Sequence, residues 1–143
     1  LTDTMHWDLT ERDFKFVMAL EPQGCLVALD GNTKVGITTT AYYDRIGTIG
    51  NVIVDVRHRS RGIGAQLVKE AISYLSKKGV VTVALYAYMD AVKFYEKLGF
   101  KCDSDFLVLH GKGPPTMADV SAERLTENDL ERVAEIRVSR GEG

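Results

Sequence analysis

The sequence predicts an α/β domain built around a mixed sheet, and three observations support this prediction. Three short apolar stretches follow one another in the first half of the chain as an antiparallel meander. A basic loop containing glycines then joins the third stretch to a long amphipathic helix. The next stretch, residues 80–85, is almost entirely apolar, which is typical of a strand buried on both faces. The length of 143 residues fits one domain.

The individual elements follow from local signals. Thr10 with Asp13 indicates a capped helix start, and the turn Asp30-Gly31-Asn32 indicates a hairpin. Strands are predicted over residues 25–29, 34–43, 46–56, 80–85 and 100–109. Helices are predicted over residues 10–20, 63–78 and 91–98. Near the end of the chain, residues 120–125 are predicted to form a strand, and Thr126 with Asp129 indicates a further capped helix.

Composition and charge exclude several classes of protein. The chain is 45% hydrophobic and 27% charged with a net charge of −2, which argues against disorder and against binding of nucleic acid or anionic membranes. No apolar run is long enough to span a membrane, and no leader is recognisable, so a cytoplasmic location is expected. Cys25 and Cys102 are expected to be free and buried, the alternative being a disulfide. No metal-ligand spacing is present, so no metal is expected.

The most informative stretch is the loop Val54-Asp-Val-Arg-His-Arg-Ser-Arg-Gly-Ile-Gly64. A strand ends there, glycines allow close backbone approach, and a helix begins with unpaired N–H groups at its positive end. Such a loop is suited to a pyrophosphate, and its arginines add positive charge. The alternative interpretation is a sharp turn with solvated arginines. A Walker loop is excluded because the Gly-Lys-Ser/Thr that it requires is missing. A dinucleotide-binding fingerprint is excluded because Leu67 stands where its third glycine belongs.

A second motif, Asp90-Ala-Val-Lys-Phe-Tyr-Glu-Lys-Leu-Gly-Phe100, follows about thirty residues later. Together the two motifs resemble those of the GCN5-related N-acetyltransferase (GNAT) superfamily, and the resemblance covers nearly the whole chain. It implies the acyl-CoA N-acyltransferase fold and an enzyme that uses acetyl-coenzyme A as co-substrate. The implied reaction moves the acetyl group to a primary amine by direct attack in a ternary complex. The alternative is a non-catalytic CoA-binding or regulatory module.

The resemblance also implies roles for particular residues. Tyr95 matches the tyrosine that donates a proton to the leaving thiolate, although it could instead be only a core aromatic. The loop is implied to bind the pyrophosphate, and the backbone of the preceding strand to pair with the pantetheine arm. The cofactor-binding residues implied in this way are Val54, Val56, Arg59, Arg61, Gly62, Ile63, Gly64 and Ala65.

Two departures from the family pattern leave the general base on the acceptor side unidentified. Tyr88 stands where the family often has an asparagine, and the stretch Ile49–Val54 lacks the glutamate that often acts as base. Asn51 in that stretch could position a water. The remaining candidate bases are Asp44, Glu21 and His6, and a water relay is an alternative to all three. The acceptor is expected to be a small-molecule or peptide amine.

The order of the elements departs from the family at the two ends of the chain. The usual opening strand and helix are absent before Thr10, whereas residues 117–143 resemble them. We therefore expect a circularly permuted GNAT domain with a core at 1–113, a linker at 114–116 and the strand–helix unit at 117–143. The alternative is a fragment of a longer protein. A permuted domain is compatible with a monomer or a homodimer. If the linker is too short to reach the sheet within one molecule, the homodimer would exchange strands.

Overall fold

Among the residues that the structure describes, a mixed four-stranded sheet organises the first part of the chain. The computed structural model describes residues 9–105 and 124–131, and the chain divides into two compact units, Leu1–Ser104 and Asp105–Gly143. The strands of the first unit lie in the order β1-β2-β3-β4, with antiparallel pairs except for the parallel pair β3–β4. Their bounds are Leu26–Asp30 (β1), Thr33–Tyr43 (β2), Ile46–Val54 (β3) and Thr82–Ala84 (β4). The predicted mixed α/β class is confirmed.

In the part of the first unit that the structure describes, three α-helices accompany the sheet, namely Glu11–Leu20 (α1), Ile63–Lys77 (α2) and Val92–Glu96 (α3). The predicted cap of α1 is present, since Asp13 accepts hydrogen bonds of 2.7 Å from both the N–H and the hydroxyl of Thr10. α2 ends at Lys77, and the predicted stop at Gly79 is present, since its φ of +86° permits a Schellman turn. In that turn the Val80 N–H donates to the Leu75 carbonyl at 3.1 Å.

The core lies between α2 and the sheet. Its buried cluster comprises Ile49, Val68, Ala71, Leu75 and Val80. Ala71 and Leu75 belong to the apolar face predicted for α2, and both are fully buried. Burial of a side chain such as Leu75 is worth roughly 1.5–3 kcal/mol. This packing holds the first turn of α2 against the end of β3, the place where the sequence predicts a ligand.

Several predicted boundaries were wrong. β3 ends at Val54, because the Asp55 side chain accepts the Arg57 N–H at 2.9 Å and starts a 3₁₀ turn over Val56–His58. Val56 is therefore in a turn and not in a strand. Residues 100–105 form neither helix nor strand, and 106–109 lie outside the described residues. Both cysteines are free as predicted, but neither is buried, since Cys25 is half-buried and Cys102 is exposed.

Only a short part of the second unit is described. The predicted cap is present there, because Asp129 accepts from the Thr126 N–H at 2.8 Å and a 3₁₀ turn follows over Glu127–Asp129. Arg124 and Leu125 are not in a strand. The rest of the strand predicted over 120–125, and the helix beyond residue 131, lie outside the described residues.

Candidate active site

The loop between β3 and α2 presents a row of backbone N–H groups. Ser60 and Gly62 both have left-handed backbone, with φ of +60° and +80°, and Gly62 caps α2. The Gln66 N–H donates to the Gly62 carbonyl at 3.0 Å, so the N–H groups of residues 63–65 precede the helical hydrogen-bond ladder. Left-handed residues followed by a helix start form an anion-binding concavity, to which the helix dipole adds positive potential. We call residues 59–65 the anion loop.

Asp55 shapes the start of this region. Its carboxylate accepts from the Arg57 side chain at 3.2 Å and lies 3.2 Å from Nδ1 of His58. The Arg57 guanidinium, the Arg57 N–H and His58 together hold the pKa of Asp55 well below its usual range. Asp55 therefore stays ionised and anchors the turn that leads into the anion loop, a role that sequence reasoning missed.

Both arginines predicted for the site lie at the anion loop, and both have partners. Arg59 Nε donates to the Val54 carbonyl at 3.1 Å. Arg61 donates from one terminal nitrogen to Asp30 Oδ2 at 2.9 Å, across 31 residues of sequence. The Arg61 side chain is 55% exposed, so it keeps N–H groups for a ligand at the loop.

Gly64 is the point where the two sequence motifs meet. A Cβ added at Gly64 would lie 3.4 Å from Cζ of Phe94 and 3.6 Å from Cγ2 of Val54. The glycine thus allows the first turn of α2 to fit between the end of β3 and the ring of Phe94 on α3. This packing brings α3, and with it Tyr95, to the same end of the sheet as the anion loop.

Tyr95 is half-buried in an aromatic cluster. Its ring makes edge-to-face contacts with Phe94 at 4.9 Å and with Phe100 at 5.9 Å between centroids. Gly99, with a φ of +94°, closes α3 in a second Schellman turn that brings Phe100 back onto the Tyr95 ring. Burial raises the pKa of Tyr95, so its hydroxyl remains protonated over a wide pH range. The contacts are compatible both with packing and with proton donation.

β3 separates from β4 in the middle of its length and carries a bulge there. The two strands pair only over Ile46–Thr48 and Thr82–Ala84, so within the described ranges the β4-facing edge of β3 beyond Thr48 has no strand partner. On the other side the register shifts between Ile37 and Thr39. Asn51, in the bulge, has a φ of +51°, and its side-chain amide donates to the Thr39 hydroxyl at 3.1 Å. A non-glycine residue in this strained conformation is often found at functional sites.

A groove of about 640 Å³ opens between α1 and this bulge. Its size is typical of small-ligand sites. It is lined by Leu9, Thr10, Arg12, Asp13, Phe14, Phe16, Val17 and Asn51. The groove is mainly apolar. Periodicity predicted α1 but gave no sign of this groove, because Asn51 joins it only through the bulge.

Glu21, Asp44 and Tyr88 are not among the described residues that line the groove. Glu21 accepts a short hydrogen bond from the Tyr74 hydroxyl. Asp44 lies exposed in the β2–β3 turn, Tyr88 is 64% exposed in the segment before α3, and His6 lies outside the described residues. Across residues 9–105 and 124–131, no cluster of three or more metal-ligating side chains is present. No helix in those ranges is long and apolar enough to cross a membrane.

The first unit is an α/β domain in which a glycine-containing loop and a helix start adjoin an aromatic cluster, a loop geometry that is typical of phosphate-binding sites. Comparison with known proteins places it more narrowly: a model of the acetyltransferase (GNAT) family matches residues 2–100. The chain belongs to this family, and the family predicted from the two motifs is confirmed.

Individual relatives agree with this assignment. An uncharacterised N-acetyltransferase of Pyropia yezoensis is 30% identical over 112 residues, which are 73% of this chain and 63% of that protein. An uncharacterised N-acetyltransferase of Methanocaldococcus jannaschii is 30% identical over 98 residues, 62% of this chain and 43% of that protein. The chain thus spans less than two thirds of either relative. The crystal structure of Ard1 from Thermoplasma volcanium shares the fold, with a TM-score of 0.67, 22% identity and 72% coverage of each chain.

Proposed function

We propose that this domain moves an acetyl group from acetyl-coenzyme A to a primary amine by direct attack in a ternary complex. The observation that carries the proposal is the anion loop, in which the N–H groups at the start of α2 precede the helical hydrogen bonds and lie beside the edge of β3 that has no strand partner among the described residues. An anion cradle next to an open strand edge suits a ligand that has a pyrophosphate at one end and an amide-bearing arm at the other.

The residues at the loop fit coenzyme A. The N–H groups of residues 61–65 would bind the pyrophosphate, and Arg59 and Arg61 would add positive charge. The backbone at Val54 would pair with the pantetheine arm, and Val56 would contribute from the turn that follows. Acetyl-coenzyme A supplies the activated thioester, and no metal is part of the proposal.

We place the amine in the groove between α1 and the bulge. Because the Asn51 amide nitrogen is held by Thr39 at 3.1 Å, its carbonyl oxygen is the atom left to accept a hydrogen bond from the amine. The apolar side chains Phe14 and Val17 would contact the body of a small-molecule or peptide acceptor. A relay through water to bulk solvent would remove the proton, since the amine must be neutral to attack.

Tyr95 is proposed as the proton donor to the leaving thiolate. Its raised pKa keeps the phenol protonated at neutral pH, which is the form that can donate. Its ring is held by Phe94 and Phe100, so the hydroxyl has a defined position. The corresponding thiol has an ordinary pKa of about 8.5, so the thiolate leaves more readily when it receives a proton or a hydrogen bond.

The test is thiol release on mixing the protein with acetyl-coenzyme A and a panel of small amines and peptides. An enzyme releases free coenzyme A in proportion to acetylated amine, as measured with a thiol reagent and by mass spectrometry. Binding of coenzyme A without release by any amine would favour the non-catalytic module. Absence of coenzyme A binding by calorimetry would overturn the proposal as a whole.

The arrangement of the ends forms a separate proposal. We propose that residues 117–143 supply, in a permuted order, the strand–helix unit that members of the family carry at their start. In its support, the cap that the sequence predicts for the helix of this unit is present at Thr126 and Asp129. The segment comes from the same chain, or from a second copy in a swapped homodimer. Deletion of residues 117–143 is expected to impair folding; a soluble, fully active truncation would refute this arrangement.

A cytoplasmic location completes the proposal. Cys25 and Cys102 are free thiols, and Cys102 is exposed, which suits a reducing compartment. The net charge of −2 gives no support to a nucleic-acid or membrane partner.

A further inference from the structure

We propose that Asp30, at the tip of the first hairpin, is a positioning residue of the anion loop. Its Oδ2 accepts from the Arg61 guanidinium at 2.9 Å and lies 3.8 Å from Nε2 of His58. One carboxylate thereby contacts two basic side chains near the loop from a different part of the chain. The inference rests on the proposed function, because it concerns the binding of coenzyme A at this loop.

The sheet explains why Asp30 reaches the loop. β2 pairs with β3 as far as Gly36 opposite Val54, and the Asp55 N–H then donates to the Val35 carbonyl at 2.9 Å. The start of β2 therefore lies beside the end of β3. Asp30 is paired with Thr33 across the tight hairpin turn, so its carboxylate is carried to the mouth of the anion loop.

The effect of Asp30 on ligand binding follows from the freedom of Arg61. This side chain is 55% exposed, and in the absence of a partner it would sample many rotamers, which a bound phosphate would have to restrict. Asp30 fixes the guanidinium with one N–H group and leaves other N–H groups for the phosphate. Acting in this way, Asp30 increases the affinity for coenzyme A although it carries the same sign of charge as the ligand.

When the charge of Asp30 is removed, positioning predicts a lower affinity for coenzyme A, whereas simple charge repulsion predicts a higher one. The direction of the change therefore decides between them. In Asp30→Asn the dissociation constant for coenzyme A, measured by calorimetry, is expected to rise about three- to tenfold. Asp103→Asn is the matched control, since Asp103 is exposed and its change alters the net charge equally. It should leave the affinity unchanged. An unchanged or higher affinity in Asp30→Asn would overturn the proposal.

A double-mutant cycle and a truncated substrate separate positioning from a general structural role. In an Arg61→Gln background, Asp30→Asn should cause no further loss of affinity. The KM for acetyl-coenzyme A should rise in Asp30→Asn with kcat unchanged, whereas the KM for acetyl-pantetheine, which lacks the pyrophosphate, should stay the same. Equal losses for both substrates, or losses that add in the double variant, would contradict the proposal. If the unmodified protein binds no coenzyme A, the proposed function itself fails, and this result is distinct from the others.

Discussion

A matched pair of substitutions at Gly62 tests the anion loop most directly. Gly62 has a φ of +80°, and a Cβ added there meets no atom within 4 Å. Asparagine and aspartate tolerate this left-handed backbone better than other side-chain-bearing residues and have nearly the same shape. Gly62→Asn and Gly62→Asp therefore share their strain and differ mainly in one negative charge at the start of α2.

The size of the expected effect follows from Coulomb's law. A carboxylate about 6 Å from a bound phosphate, at an effective dielectric constant of about 40, repels it by about 1.4 kcal/mol. Coenzyme A should thus bind about tenfold more weakly to Gly62→Asp than to Gly62→Asn. The helix itself should not suffer, because a negative charge at its N-terminus is favourable.

The assay is calorimetric titration of both variants with coenzyme A, accompanied by thermal unfolding. The melting temperature of Gly62→Asp should equal or exceed that of Gly62→Asn. The difference in affinity should shrink at high salt, because the Debye length falls from about 8 Å at 0.15 M to about 3 Å at 1 M. Equal dissociation constants in two folded variants would show that the phosphates do not bind at this loop.

Three further predictions concern the catalytic side and stability. Tyr95→Phe keeps the ring contacts but removes the proton donor, so kcat should fall about 10²–10⁴-fold with the coenzyme A affinity nearly unchanged; an equal loss of binding and melting temperature would indicate a packing role alone. Asn51→Gly preserves the positive φ and deletes the amide, so the KM for the amine should rise while that for acetyl-coenzyme A stays constant; parallel rises would argue against the acceptor groove. Burial raises the pKa of Tyr95, and burial together with the hydrogen bond to Glu21 raises the pKa of Tyr74. The free energy of unfolding should therefore be retained below the ordinary tyrosine pKa of about 10 and decline above it. Melting temperatures measured from pH 8 to 11 should show this decline, and Tyr95→Phe should reduce it.

The sequence alone was sufficient for features that depend on near neighbours. The caps at Thr10 and Thr126, the turn at Gly79 and the apolar face of α2 all appear as predicted, because each is decided within a few residues by hydrogen bonding or periodicity. The geometry of the anion loop belongs to the same group, since the first N–H groups of any helix lack intrahelical partners wherever that helix is placed.

Tertiary structure decided which distant residues meet. Asp30 reaches Arg61 only through the pairing of β2 with β3, and Gly64 meets Phe94 only when α3 packs on the first turn of α2. Asn51 joins the groove because a bulge turns it out of the regular strand. These contacts depend on strand register and helix packing, which are set by the burial of the whole core rather than by any local pattern. The family could therefore be predicted from two short motifs, whereas the groove beside α1 and the Asp30 contact required the folded chain.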